Sequence, residues 1–240
     1  RPYVVDGGDH YVSASIGIAI SDAGSTAQSL LGEADAAMYA AKDGGRNGCA
    51  LFASELRREM ADWSRVQRDL HRAIDADEME LDLQPIIGLQ GGPIAYEALA
   101  RWNHPTRGRL GPAEFIAVAE ESGLIRRLGA RLLTLAAGHA AELGAPVSAN
   151  VSVHQFNAAL VDQVAALIER HGLSRGQLII EVTESAVVDA DHAAVVLDGL
   201  RAAGADIWID DFGTGYSSLA RLGSLTVDGF KLPREFVNDL

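Results

Sequence analysis

"ADIWIDDFGTGYSSL", residues 205–219, runs from an apolar segment into two adjacent carboxylates and then into a Gly-Thr-Gly turn. An ionised carboxylate taken out of water costs free energy unless a cation or hydrogen bonds offset it. Paired charges at the point where a buried strand gives way to a turn therefore need a partner. An Asp-Asp pair before glycine also suits an ordinary Asx turn, so the stretch does not decide its own role. Its neighbours along the chain do.

Upstream, apolar strand-like runs alternate with helical stretches. The runs are "MELDLQPII" (79–87), "PIAYEALAR" (93–101), "PVSANVSV" (146–153), "QLIIEVTES" (177–185), "ADIWIDDFG" (205–213) and "VDGFKL" (227–232). Helical patterns fall near 113–121, 125–143, 154–171, 189–203 and 216–222. Several runs are apolar on both faces, as strands covered by helices must be. Gly91-Gly92-Pro93 is too short for a crossover, so the first two runs form an antiparallel hairpin. The expected fold class is α/β: a TIM-like barrel with an antiparallel first strand, truncated at its C-terminal end after roughly seven strands.

The organisation changes near residue 53. "YVSASIGIAI" (11–20) reads as a strand, and "QSLLGEADAAMYAAKDGGRN" (28–47) as a helix with a Gly-Gly stop and a tail. That is too little chain to close a core alone. Residues 54–76 are highly charged and helical, with Ser54 as a candidate N-cap. The expected division is 1–53 as a partial α/β segment, 54–65 as a connector helix and 66–240 as the barrel.

The 240 residues are 48% hydrophobic with 25 Gly and 7 Pro, enough for a buried core. A formal net charge of -13 argues against sequence-independent binding to nucleic acid or to an anionic membrane. An anionic ligand needs a local Arg, Lys or metal ion. Cys49 is the single cysteine, so no intrachain disulfide is possible and a reducing, cytoplasmic compartment is expected. The amino-terminal stretch lacks the apolar core of a signal peptide, and no run of about 18 apolar residues marks a membrane span. The chain begins without Met and stops abruptly, which reads as a piece of a longer polypeptide.

The strand ends carry the chemistry. In chain order the runs finish on or near Glu97, Asn150, Glu181, Asp210 with Asp211, and Lys231. Carboxyl ends of parallel barrel strands converge on one face. Carboxylates and an amide oxygen gathered there repel unless a hard cation sits among them, and oxygen ligands suit Mg²⁺ or Mn²⁺ rather than Zn²⁺. Adjacent side chains diverge from an extended strand, but a turn at Gly213 and Gly215 can curl the second back. Two neighbouring carboxylates can then serve two ions about 4 Å apart, an arrangement that activates water and stabilises in-line displacement at phosphorus. Lys231 alone could equally be a structural ion-pair partner. None of the seven His has a metal-ligand spacing such as HxxxH.

"YEALARW" (96–102), preceded by "LQPI" (83–86) and followed by "NVS", "EVTES", "DDFGTGYSSL" and "FKL", resembles the EAL domain over roughly residues 66–240. That family is a cyclic-di-GMP phosphodiesterase on a TIM-like barrel. "VSASIGIA" with "ADAAMYAAKDGGRN" resembles the carboxyl-terminal end of a GGDEF domain, the diguanylate cyclase fold. "DGGDH" (6–10) precedes this late strand and is not the cyclase signature. The resemblance implies that Glu97, Asn150, Glu181 and Asp210 ligate metal, with Asp211 serving a second ion. It implies that Glu184 shapes the loop after Asp211 and that Lys231 orients the attacking water. Gln84 and Arg101 then contact the substrate, Arg101 as a guanidinium fork on phosphate. Lys42 and Arg46 resemble the GGDEF phosphate-contacting pair, although cations at a helix C-terminus have a simpler use. Homodimerisation through helices near the loop after Asp211 is a further implication.

Two departures matter. The family commonly reads Lys-Ile-Asp where this chain has Lys231-Leu232-Pro233. The family's further strand ends, including a glutamate that acts as general base, are expected beyond residue 240. The expectation is therefore hydrolysis of cyclic-di-GMP to linear pGpG by the full-length parent, with this piece feeble or inert. A non-hydrolysing cyclic-di-GMP receptor is the alternative that Pro233 favours. Lysine-assisted proton abstraction on a barrel also combines such residues, without support from the Gln-Pro-Ile or DDFGTGYSS stretches.

Overall fold

A computed structural model describes residues 3–5, 8–10, 13–22, 24–52, 54–187, 190–213, 226–233 and 236. It forms two compact units that divide between Arg65 and Val66.

In the first unit, β1 (Tyr3–Val5) pairs antiparallel with β2 (Gly8–His10). Next come β3 (Ile16–Ile18), α1 (Ala27–Asp43) and β4 (Cys49–Leu51). Helix α1 begins at a capping box, in which Thr26 Oγ1 accepts from Ser29 N–H and Ser29 Oγ accepts from Thr26 N–H. Among the described residues of the stretch expected as a strand over 11–20, Ile16–Ile18 are strand, and the chain after the helix forms a further strand at Cys49–Leu51. Positive φ at Gly45, Arg46 and Asn47 turns the chain back after α1, so that β4 pairs parallel with β3. A Cβ at Gly17 would lie 1.8 Å from the Ala34 carbonyl oxygen, so the helix rests on bare strand backbone. Ile16, Leu31 and Tyr39 stay more than half exposed, as expected of a segment too short to cover its own apolar faces.

Helix α2 (Ser54–Ala73) spans the division, and Val66, Leu70 and Ala73 are buried. The second unit continues with β5 (Met79–Ile87), β6 (Pro93–His104), β7 (Gly108–Leu110), α3 (Ile116–Glu121), α4 (Ile125–Leu143), β8 (Val147–Val151), α5 (Ala158–His171), β9 (Leu178–Thr183), α6 (Ala190–Ala203), β10 (Asp206–Asp210) and β11 (Gly229–Phe230). The sheet order is β11-β10-β9-β8-β6-β5, with the short β7 on β6. As the sequence implies, β5 and β6 form an antiparallel hairpin, while β6, β8, β9, β10 and β11 run parallel. Among the described residues β5 does not pair with β11, so the TIM-like sheet stays open rather than closing as a barrel.

Alternation sorts the side chains by face. Val147, Ala149, Val151, Leu178, Ile180, Val182, Ile207 and Ile209 form the helix-covered core with residues of α4, α5 and α6. Burying each large aliphatic side chain contributes roughly 1.5–3 kcal/mol. The register sets Glu97 beside Ser148, Asn150 beside Glu181, and Asp210 beside Thr183 on the opposite, inner face.

Element ends differ from the expected ones for local reasons. The helix placed at 154–171 starts at Ala158, because Asn157 Oδ1 caps it through Ala159 N–H at 2.9 Å and Ser152 opens a separate 3-10 turn. The helix placed at 113–121 is a 3-10 turn at Pro112–Glu114 followed by α3. Strand β10 ends at Asp210, because Asp211 takes a left-handed φ of 53°. The helix placed at 216–222 lies outside the described residues.

At the opposite end of β10, burial raises the Asp206 carboxyl above its ordinary value and nearby Asp228 adds to the effect, against Arg175 and Arg201. A carboxyl raised by folding contributes stability at low pH and loses it as pH rises through the folded value. Asp206→Asn is therefore expected to raise the thermal midpoint slightly at pH 7. The gain should close below pH 3.8, the ordinary value, in unfolding curves taken at both extremes.

Candidate active site

Five of the predicted site residues meet on the inner face. The Lys231 backbone N–H donates to the Ile209 carbonyl at 2.8 Å, which continues the ladder one residue past β11. Its ammonium donates to Glu181 Oε2 at 2.8 Å and lies 3.0 Å from Glu97 Oε1 and 3.8 Å from Asp210 Oδ1. Asn150 Nδ2 donates to the same Glu97 oxygen at 3.2 Å. The cation that offsets the carboxylates in this arrangement is thus a lysine on the adjacent strand.

Glu181 carries the electrostatic tension. Its side chain is fully buried, and Oε1 has no hydrogen-bond partner among the described residues. Burial pushes its carboxyl up, and the Lys231 bond, with a smaller contribution from the neighbouring Ser148 hydroxyl, which is not in bonding geometry with it here, pulls it only part of the way back. Burial pulls the Lys231 ammonium down, but Glu181, Glu97 and Asp210 more than reverse this, so it stays charged. Among the described residues no three His, Cys, Asp or Glu side chains are grouped so as to hold a metal ion as they stand. The donor chemistry nonetheless fits one: the set is oxygen-only, and the unpartnered buried Glu181 oxygen seeks a hard cation.

The Asp-Asp pair diverges. Asp210 Oδ1 accepts the Asp211 N–H at 2.9 Å, and Asp211 is exposed. Gly213 makes the turn at φ 96°, and its N–H donates to Glu184 Oε2 at 3.2 Å. Phe212 N–H donates to the Lys231 carbonyl at 3.1 Å, so the segment is tied on both sides. Gly215 and residues 214–219, the rest of this motif, lie outside the described residues. Pro233 leaves Lys231 within the cluster, and its carbonyl accepts from Phe236 N–H at 3.0 Å.

Gln84 stands opposite Glu97 in the hairpin register and is exposed. Arg101 is not the free fork that the sequence suggests. Its Nε binds Asp82 Oδ2 at 2.8 Å and its Nη1 donates to the Ala100 carbonyl at 2.8 Å. Asp82 was legible only as a residue two before Gln84, hence on the same strand face. A cavity of about 480 Å³ opens beside Asn150 and Glu181, walled by apolar side chains including Leu81, Leu99, Ile116 and Leu132. Mostly apolar walls with a few polar groups are the usual make-up of a small-molecule site.

In the first unit, Lys42 lies in the last turn of α1 with its ammonium 5.0 Å from the Tyr39 ring centroid. Arg46 sits in the following turn, its N–H donating to the Ala41 carbonyl at 3.1 Å. Both lie at or just after the C-terminal end of α1, where a cation also meets the helix dipole favourably, so the placement leaves both readings open.

Comparison with known proteins adds to this geometry. The EAL domain profile matches residues 67–240, and that of the diguanylate cyclase GGDEF domain matches residues 1–48. The bifunctional diguanylate cyclase/cyclic di-GMP phosphodiesterase MucR of Pseudomonas aeruginosa is 41% identical over 253 residues, covering 100% of this chain and 36% of the relative. Cyclic di-GMP phosphodiesterase NbdA of the same organism is 37% identical over 252 residues, covering 100% of this chain and 32% of its own. The chain thus spans about a third of the length of the curated relatives it matches. The solved PaMucR phosphodiesterase in its c-di-GMP complex aligns with a TM-score of 0.68 at 39% identity, covering 73% of this chain and 74% of that one. No helix of the described residues is long and apolar enough to cross a membrane.

Proposed function

The chain belongs to the EAL domain family, preceded by a GGDEF segment, and from that premise we propose that it serves the hydrolysis of cyclic di-GMP to linear pGpG. Water attacks phosphorus, one P–O bond forms, and the opposite P–O bond to ribose breaks as the leaving oxygen takes up a proton. The observation that carries the reading is the convergence of Glu97, Glu181 and Asp210 on the Lys231 ammonium, at distances from 2.8 to 3.8 Å.

EAL domains are in general dependent on divalent metal. Glu97, Asn150, Glu181 and Asp210, with Asp211 beside them, would hold Mg²⁺ or Mn²⁺, as two ions. Such ions, when bound, supply Lewis acidity toward the phosphate oxygens and lower the pKa of water. Lys231 keeps a positive, proton-bearing group beside the site where charge develops on phosphate, and its strand fixes that position before substrate arrives. Arg101 offers a planar guanidinium to the phosphodiester, Gln84 faces Glu97 across the hairpin, and Glu184 anchors the Asp210–Gly213 turn.

The full-length parent carrying these residues, incubated with cyclic di-GMP, is expected to release pGpG with Mg²⁺ or Mn²⁺ and none with EDTA. Ca²⁺ should support binding of the dinucleotide without product, because its larger and looser coordination shell positions the nucleophile poorly. A second reading, a receptor that holds the dinucleotide intact, is favoured by Pro233 where the family commonly has an acid. Tight binding with unchanged dinucleotide in Mg²⁺ and Mn²⁺ alike would reject hydrolysis and establish that receptor.

A further inference from the structure

The inner face of β6 beyond Glu97 carries a charged bracket that the roles above leave unassigned. In the hairpin register Asp82 stands opposite Leu99 and Glu80 opposite Arg101, so Asp82 is the diagonal neighbour of Arg101. Arg101 Nε lies 2.8 Å from Asp82 Oδ2 as an ion pair. From the other side of β6, Arg109 of β7 grips the same carboxylate with both terminal nitrogens, Nη1 on Oδ2 at 3.1 Å and Nη2 on Oδ1. Strands two apart are separated by roughly 10 Å, so only a long side chain crossing the face of β6 makes this link. Glu80 approaches Arg109 Nη2 at 3.8 Å.

As a device for stability the bracket is poorly chosen. Asp82 is 39% exposed and Arg109 47% exposed, and ion pairs so open to solvent add little to stability. Placing two guanidinium groups on one carboxylate also brings like charges together. What the bracket achieves is geometric: Arg101 has its Nε held by Asp82, its Nη1 held by the Ala100 carbonyl, and its Nη2 without a hydrogen bond among the described residues. A long arginine side chain loses rotamer freedom when a ligand fixes it. Restricting it before a ligand arrives removes that cost from binding.

We propose that Asp82 and Arg109 are positioning residues, Asp82 fixing the Arg101 guanidinium to receive the phosphodiester of the ligand and Arg109 fixing Asp82. This rests on the phosphate-binding role proposed for Arg101. The Arg109 hydrogen bonds hold the Asp82 carboxyl below its ordinary value of 3.8, so the bracket remains charged at neutral pH.

The test reads Arg101 directly and the ligand separately. In wild type the Arg101 Nε–H resonance should exchange slowly with water, and in Asp82→Ala that protection should vanish. Affinity for cyclic di-GMP, measured with Ca²⁺, should fall about tenfold in Asp82→Ala; with Mg²⁺, KM should rise similarly while kcat changes less than about threefold. Asp82→Ala combined with Arg101→Ala should bind no more weakly than Arg101→Ala alone. Arg109→Lys keeps the charge but not the fork, and should lose affinity as Arg109→Ala does. Retained Nε–H protection in Asp82→Ala, additive losses in the double variant, or an Arg109→Lys protein equal to wild type would each overturn the inference. A wild type with a protected Nε–H, released in Asp82→Ala, but no affinity for cyclic di-GMP would support the bracket and sink the functional reading instead.

Discussion

In the full-length parent, Lys231→Met is expected to lower turnover of cyclic di-GMP by at least about 10²–10³-fold, the usual consequence of removing one preorganised group aimed at developing charge. The same change should destabilise the fold, because methionine leaves Glu181 fully buried and without its Lys231 partner. Breaking a buried pair from one side costs about 3–5 kcal/mol, and the lower figure applies here because the lysine side chain is 24% exposed. Glu181, already pushed up by burial, then loses the bond that pulls it down and takes up a proton more readily. Stability and catalysis separate in the pair Lys231→Met with Glu181→Gln, where both charges are gone. That double variant should regain much of the lost urea midpoint and none of the turnover. A single variant that cuts within tenfold of wild type would show that Lys231 is an ion-pair partner and no more.

The inner-face cluster was legible in the sequence because its members fall at the carboxyl ends of successive strands, which converge on one face. In the fold, alternation along each strand turns them away from the helix-covered core. Val147, Ala149 and Val151 take the core side of β8, which leaves Ser148 and Asn150 on the other. The same period carries Glu181 onto the inner face of β9 although its strand neighbours are buried on both sides. Two short strands were not legible. β4 and β7 have three residues each, too few to show a period, and are defined by the turns that return them to a neighbour. Register across non-adjacent strands was equally hidden, which is why Arg109 carried no signal, while Asp82 showed only which face of its strand it takes and not its pairing with Arg101 on the partner strand. The left-handed conformation of Asp211 could be suspected from the glycine two places on, but not assigned to the aspartate.

Glu97 is where a purely structural account and a catalytic one part company. Its Oε1 accepts from Asn150 Nδ2 and lies 3.0 Å from the Lys231 ammonium, so it joins two strands of the site through one atom. Glu97→Ala is expected to abolish turnover, with a loss beyond about 10³-fold if the carboxylate is a metal ligand as proposed. The informative comparison is Glu97→Gln. Glutamine retains a carbonyl oxygen that can accept from Asn150 and from Lys231, at similar length, and removes only the negative charge. If the role of Glu97 is to connect strands, Glu97→Gln should keep most of the activity and nearly all of the stability. If its charge is required to bind a divalent ion, Glu97→Gln should be as inactive as Glu97→Ala and should bind Mn²⁺ more weakly in calorimetric titration, while its thermal midpoint stays close to wild type. Two inactive variants with unequal stability therefore point to metal binding, and an active Glu97→Gln removes Glu97 from the metal set altogether.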